Sequence, residues 1–204
     1  MSSEISMEDV KKLRDQTGAG IMDCKTALVE KKGDIKEAVK YLREKGIAKA
    51  EQRSDRKTGE GMVASYIHPG DRLGVILELN SETDFLSRTD EFRQLAKDLC
   101  MQVAASAPRY IQREDVPEDV KNSEKDIYRK QAKESGKPDG VLEKIAEGKL
   151  DKFFQESCLM EQAFIKDPDR TIEQLRTDLV GVIGENVEVR RFARFQLGEL
   201  AEEA

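Results

Sequence analysis

Met62-Val63-Ala64-Ser65-Tyr66-Ile67-His68-Pro69-Gly70-Asp71-Arg72-Leu73-Gly74-Val75-Ile76-Leu77-Glu78-Leu79-Asn80 is the stretch that decides the fold class. Leu73, Val75, Leu77 and Leu79 recur at period two, and Gly74, Ile76, Glu78 and Asn80 fall on the opposite face. Met62 to His68 forms a second run of this kind, and Pro69-Gly70-Asp71-Arg72 between them carries turn chemistry. A β-hairpin is therefore expected in a chain that otherwise reads as helical.

N-terminal to the hairpin, the first 50 residues read as three short helices. Ser6 is a suitable N-cap for a helix over Met7 to Gln16, with Asp9 at the capping-box position. Met7, Val10 and Leu13, joined by Leu28 and Val29, are expected to form its buried face. Thr17-Gly18-Ala19-Gly20 breaks the helix, because glycine admits the backbone angles of a tight interhelical turn. The second helix runs from about Ile21 to Lys32 and stops at Gly33, and Asp34 caps a third bearing Ile35, Ala38, Val39 and Leu42. So small a core is marginally stable alone. Residues 1–50 are read as one domain, and the charged, apolar-poor residues 51–61 as a linker.

C-terminal to the hairpin, residues 62–204 are expected to build an α+β core. Phe92, Leu95, Ala96, Leu99 and Val103 stripe a helix over about Asp90 to Ala107, which Pro108 ends. Residues 112–157 are strongly charged, with Pro117 opening one helix and Gly136 and Pro138 separating it from the next. Their thin apolar seam, with Val120, Ile127 and Ala132 facing Val141, Leu142 and Ile145, predicts a projecting helical hairpin. A last helix over Thr171 to Ile183 leads through Gly184 to a third strand. In that strand Val187, Val189, Ala193 and Phe195 are expected on one face. The three strands are expected to pair as one antiparallel sheet. Val75 and Leu77 against Ile76 make both of its faces apolar, so a second copy of the chain is expected to cover the open one.

Composition narrows the function classes. With 35 Lys plus Arg against 41 Asp plus Glu, the net charge is −6, a poor basis for direct nucleic-acid binding. Apolar runs are far shorter than a membrane span needs. Met1-Ser2-Ser3-Glu4 has neither the basic nor the apolar region of a secretion signal, so a cytoplasmic protein is expected. Cys24, Cys100 and Cys158 form no C-x-x-C pair and read as small buried hydrophobes, without zinc or a disulfide framework. The single histidine, His68, sits in a turn and supports neither a triad nor a multi-histidine metal site. Thr17-Gly18-Ala19-Gly20 is too short for a phosphate loop and lacks its lysine. A protein that acts by binding, without a cofactor or covalent chemistry, is expected.

Two motifs give that expectation a direction. Leu13-Arg14-Asp15-Gln16-Thr17-Gly18-Ala19-Gly20-Ile21-Met22-Asp23-Cys24-Lys25-Thr26-Ala27-Leu28 resembles the N-terminal signature of the elongation factor Ts family. Asn80-Ser81-Glu82-Thr83-Asp84-Phe85 resembles the second signature, and Asn186 to Gly198 the ending of the short bacterial members. The likeness extends from about Ser6 to Gly198. It implies guanine-nucleotide exchange on elongation factor Tu, the GTPase that delivers aminoacyl-tRNA to the ribosome. It also implies that the N-terminal bundle is ubiquitin-associated-like and docks on the GTPase domain through Leu13, Arg14, Thr17, Gly18, Ala19, Gly20 and Met22. By the same match Thr83, Asp84, Phe85 and Leu86 form a tip whose Phe85 wedges between two partner helices near the bound Mg²⁺. The partner's magnesium and phosphate site is then disturbed and GDP leaves. Ser81 stands where many members have Cys, Leu86-Ser87 replaces the commoner Val-Ala, and Ala163 stands where a Pro is usual.

Read without the resemblance, Phe85 is a strand-end residue folded back on the core, Asp84 an N-cap or turn residue, and Leu13 and Met22 core of the bundle. An adaptor that binds a partner without changing nucleotide exchange is the alternative from another class.

Overall fold

The structure is a computed structural model that describes residues 5–199. Met1–Glu4, which carry the expectation of no secretion signal, lie outside the described residues. Three helices come first: α1 (Met7–Thr17), α2 (Ile21–Glu30) and α3 (Ile35–Glu51). The Ser6 hydroxyl accepts from the Asp9 amide at 3.0 Å and the Asp34 carboxylate from the Glu37 amide at 3.1 Å, so both expected caps form. Val10, Leu13, Cys24, Ala27, Leu28 and Ala38 are the buried core of this bundle. Met7 and Val29, expected on the buried face, are exposed instead. Cys24, Ala27 and Leu28 follow the three-to-four residue spacing of one helix face, and Val29, one residue on, points about 100° away. Asp23 ties α2 to α3 by ion pairs to Lys45 at 3.0 Å and Lys49 at 3.4 Å.

The hairpin follows as β1 (Glu60–Ile67) and β2 (Leu73–Ser81). Val75, Leu77 and Leu79 are buried on one face of β2, while Ile76 on the other is exposed. A short helix, α4 (Asp84–Ser87), leads into α5 (Asp90–Ser106), which buries Phe92, Leu95, Ala96, Leu99 and Val103. The charged region forms α6 (Glu118–Glu134) and α7 (Asp139–Ser157). Lys125 and Arg129 of α6 both pair with Glu143 of α7, at 2.5 and 2.6 Å. Ile127 and Val141, expected in the seam, are exposed, and Ala132, Leu142 and Ala146 are buried.

A two-stranded ribbon, β3 (Ala163–Phe164) with β4 (Asp167–Thr171), adds to the elements expected from the sequence. It is fastened to α5 by the fully buried Gln102. That side chain donates to Gln162 at 3.0 Å and to the Ala163 carbonyl at 3.2 Å, and accepts from the Ile165 amide at 2.9 Å. Helix α8 (Ile172–Ile183) and strand β5 (Val187–Gln196) end the described fold.

The strand order β1-β2-β5 forms one antiparallel sheet, so the α+β class holds. In β5, Val187 and Val189 are buried as expected, but Ala193 and Phe195 are exposed and Phe192 and Arg194 half-buried. The covered parity therefore changes after Val189. Arg191 explains it: its guanidinium reaches Glu78 at 2.7 Å, which sets it on the same face as Ile76.

The chain divides into two compact units. Among the described residues, one comprises 5–62, 79–95 and 174–190, the other 63–78, 96–173 and 191–199. Within the first, α3 meets α8 at Gly46 and Gly181, where a Cβ on Gly181 would lie 2.9 Å from the Gly46 Cα. Only glycines allow helix backbones this close.

Candidate functional site

Both motif segments lie in the first unit, and their local geometry follows from their residues. At the end of α1, Gly18 takes a left-handed φ of 68° and its amide donates to the Arg14 carbonyl at 2.7 Å. The Thr17 hydroxyl donates to the Leu13 carbonyl at 2.8 Å and accepts from the Ala19 amide at 3.3 Å, closing the turn. Gly20 is the N-cap of α2 with an ordinary negative φ, so only one of the two glycines uses its conformational freedom. Arg14, Gly18, Gly20 and Met22 are exposed, Met22 at 72 %, and Thr17 and Ala19 are half-buried. Leu13 is 0 % exposed, so it supports this surface from within the core. Beside the turn, the Lys45 ammonium hydrogen-bonded to Asp23, aided by Lys49, holds the Asp23 carboxyl below its ordinary value.

The second motif ends β2 and turns abruptly. Ser81 is buried and its hydroxyl donates to the Thr83 carbonyl at 2.8 Å. Thr83 is extended at φ −128° and ψ 156° and starts α4, yet its side chain makes no capping bond. Ser87 donates to the Asp84 carbonyl at 2.7 Å, and Arg88 pairs with the Asp84 carboxylate at 2.6 Å. Thr89 donates to the Leu86 carbonyl at 2.9 Å, which closes α4. Adjacent residues of a helix point about 100° apart, so this one turn sends two apolar side chains in different directions. Leu86 is 2 % exposed and anchors the turn; Phe85 is 79 % exposed. Of the four tip residues, Leu86 is thus the one withheld from solvent.

The residues that hold the tip come from the α8–β5 junction, which sequence reasoning does not connect with the tip. Glu185 accepts from the Thr83 amide at 3.0 Å and the Thr83 hydroxyl at 2.8 Å. The Asn186 amide donates to Glu82 at 2.6 Å, and the Asn186 side chain donates to the Ser54 and Arg56 carbonyls at 3.2 and 3.0 Å. Val182 lies against the first motif, 3.7 Å from where a Cβ on Gly18 would be. The available signal was Gly184 after a helix, which marks a turn without saying what the turn touches.

Among the described residues no group of three or more His, Cys, Asp or Glu is placed to hold a metal ion. Cys24, Cys100 and Cys158 are buried free thiols, and burial pushes Cys100 and Cys158 up to about 11. No helix among the described residues is long and apolar enough to cross a membrane.

The Elongation factor TS family model matches residues 4–199. Elongation factor Ts of Thermodesulfovibrio yellowstonii is 54 % identical over 199 residues, spanning 98 % of this chain and 99 % of the relative. That of Thermosipho melanesiensis is 53 % identical over 195 residues, spanning 96 % of this chain and all of the relative. That of Caldanaerobacter subterraneus subsp. tengcongensis is 51 % identical over 195 residues, spanning 96 % and 98 %. With two motifs set in one compact unit and matches over almost its whole length, the chain belongs to the elongation factor Ts family and is a translation elongation factor.

Proposed function

We propose that the chain is a guanine-nucleotide exchange factor for elongation factor Tu, acting in the cytoplasm by binding energy alone. The observation that carries the reading is Phe85, an exposed aromatic ring held on a four-residue helix by the buried Leu86. A side chain folded back on the core would be buried, whereas a wedge must be presented to solvent before the partner arrives. Burying a Phe in a partner pocket yields roughly 1.5–3 kcal/mol. Each ~1.4 kcal/mol of differential binding changes nucleotide affinity about tenfold. One wedge therefore needs a second contact: the exposed Arg14, Gly18, Gly20 and Met22, with the half-buried Thr17 and Ala19 and with Leu13 beneath them, supply the docking surface. In this division residues 1–50 dock, 51–61 link, and the rest carries the tip. Coupling is reciprocal: a factor that weakens GDP binding is itself weakened equally by GDP. The test is release of labelled GDP from elongation factor Tu. The factor should accelerate it, and an adaptor that leaves the rate unchanged would be a different protein.

A homodimer forms part of the proposal. Val63 and Ile67 of β1, Ile76 of β2 and Phe195 of β5 are all exposed. Gly74 lies under Ile67, and Arg191 reaches Glu78, which sets these side chains on one face of the sheet. A patch of that kind calls for a cover, and a second copy offers the same apolar face in reverse. Sedimentation at tens of micromolar should find a species of twice 23.1 kDa.

A further inference from the structure

We infer that Glu185 is a positioning residue for the exchange step: its carboxylate grips Thr83 at two points and so fixes the direction in which Phe85 is presented. The inference rests on the exchange reading above. Both carboxylate oxygens are used on one residue, with Oε2 accepting from the Thr83 amide at 3.0 Å and Oε1 from its hydroxyl at 2.8 Å. A charged acceptor taking two donors in this way gives a bond that is both stronger and more directional than a neutral one. The hydroxyl matters most. Thr83 stands at the N-cap of α4, where a threonine ordinarily turns its oxygen onto the amides of the first helical turn. Here no such bond is made, because the hydroxyl is committed to Glu185. Release from Glu185 leaves the hydroxyl free to cap the helix, which alters the Thr83 rotamer and the entry angle of the turn that carries Phe85.

The grip is reciprocal. Glu82, the residue before Thr83, accepts from the amide of Asn186, the residue after Glu185, at 2.6 Å. Two successive residues of the tip segment thus exchange bonds with two successive residues of the α8–β5 junction. The junction is anchored in turn. Asn186 is 3 % exposed and donates to two carbonyls of residues 54 and 56. Gly184 takes a left-handed φ of 85°, and a Cβ there would lie 3.6 Å from the Arg53 guanidinium. Val182, at the end of α8, lies beside Gly18 of the docking turn. One five-residue junction therefore bonds the tip and the segment after α3 and lies beside the docking turn. Its effect is to hold the ring and the docking surface as one preorganised arrangement, so that less ordering remains to be done on the partner.

The experiment uses the full chain with elongation factor Tu loaded with labelled GDP. Glu185→Ala should lower the maximal rate of GDP release at saturating factor by about tenfold, the order expected for losing hydrogen bonds to a charged acceptor. The concentration giving half-maximal stimulation should change much less. Amide hydrogen exchange of Thr83 in the free factor should speed up at the same time, while that of the α5 core stays as in wild type. In a Phe85→Ala background Glu185→Ala should add no further slowing, because it acts through the ring; a general structural defect would add. Glu185→Gln keeps shape and one acceptor oxygen, and should retain an intermediate maximal rate. It also serves as the test if the alanine variant does not fold. Wild-type maximal rates in Glu185→Gln and Glu185→Ala, or additive slowing in the double variant, overturn the positioning role. A wild-type chain that does not accelerate GDP release, or a Phe85→Ala variant as fast as wild type, would instead overturn the exchange reading.

Discussion

The tip at α4 and the hairpin of α6 and α7 both present side chains to solvent, but they are held by opposite means. The hairpin is fastened locally: Arg129 and Glu143 are 14 residues apart, and Gln131 and Lys149 are 18 apart. Each of its helices is introduced by a proline, Pro117 and Pro138, and rises from a thin buried seam. The tip is only four residues long, too short to hold itself, since nucleating one helical turn costs more than it returns. It borrows order from Glu185, 102 residues away. A single exposed turn thus draws its order from distant residues, whereas a pair of long helices is built from its neighbours.

The largest expected effect separates two phenylalanines seven residues apart. Phe92 is fully buried in α5, and Phe92→Ala should cost about 3–5 kcal/mol of folding stability. Phe85→Ala should leave the melting temperature within a few degrees of wild type. It should instead slow stimulated GDP release by one to two orders of magnitude, as ~1.5–3 kcal/mol of lost partner burial implies. Thermal melts and GDP release on both variants check this pair. If Phe85→Ala melts like Phe92→Ala, the ring belongs to the core and the contrast collapses.

A smaller effect is expected where α3 crosses α8. A side chain on Gly181 meets the Gly46 backbone at 2.9 Å, which has no rotamer to move aside. Gly181→Val should destabilise by about 1–3 kcal/mol through overpacking. Because Val182 is the next residue, the same change should weaken docking through the Gly18 turn as well as lower the melt. A variant as stable as wild type would show that α3 and α8 can separate without cost.

The sequence made these two regions legible to different degrees. Hairpin, bundle caps and the β2 face are written in adjacent residues: Ser6 and Asp34 cap as expected, and Val75, Leu77 and Leu79 are buried at period two. The exposure of Phe85 was carried only by the family resemblance, because a lone aromatic at a strand end packs inward as readily as outward. Glu185 and Asn186 could not be read as tip supports at all, since nothing near them in the chain indicates Thr83 or Glu82. The parity change in β5 was hidden for a similar reason. Arg191 interrupts the alternation, but whether a charge is tolerated or the register shifts depends on Glu78 of the neighbouring strand.

Acid should discriminate the bundle more gently. Lys45 and Lys49 hold the Asp23 carboxyl below its ordinary 3.8, so its charged form is favoured by folding. The stabilisation is therefore complete above the unfolded value and is lost as pH falls through the lower, folded one. The side chains at this bridge are about a third exposed, and solvent screening limits the contribution to under about 1 kcal/mol. Asp23→Asn should lower stability slightly at pH 7 and flatten the acid limb of a melting series below about pH 4. An unchanged acid limb would assign it to other carboxylates.

The smallest effect is expected in the hairpin, at the residue where its cross-links meet. Glu143 accepts from Lys125 and Arg129, and these cations hold its carboxyl below the ordinary value while leaving it open to water. Exposed pairs of this kind gain little, because water screens the charges and both long side chains lose freedom. Glu143→Gln should leave the melting profile almost unchanged, and what difference there is should vanish at high salt as the charges are screened. Stimulated GDP release should be unaffected, because the tip takes its order from Glu185 and not from this hairpin. The measurement is release rate against salt for both proteins, with the two curves expected to superimpose. A slower rate in Glu143→Gln at unchanged stability would make the hairpin a contact surface for the GTPase, and the division between a presented tip and a merely extended arm would have to be redrawn.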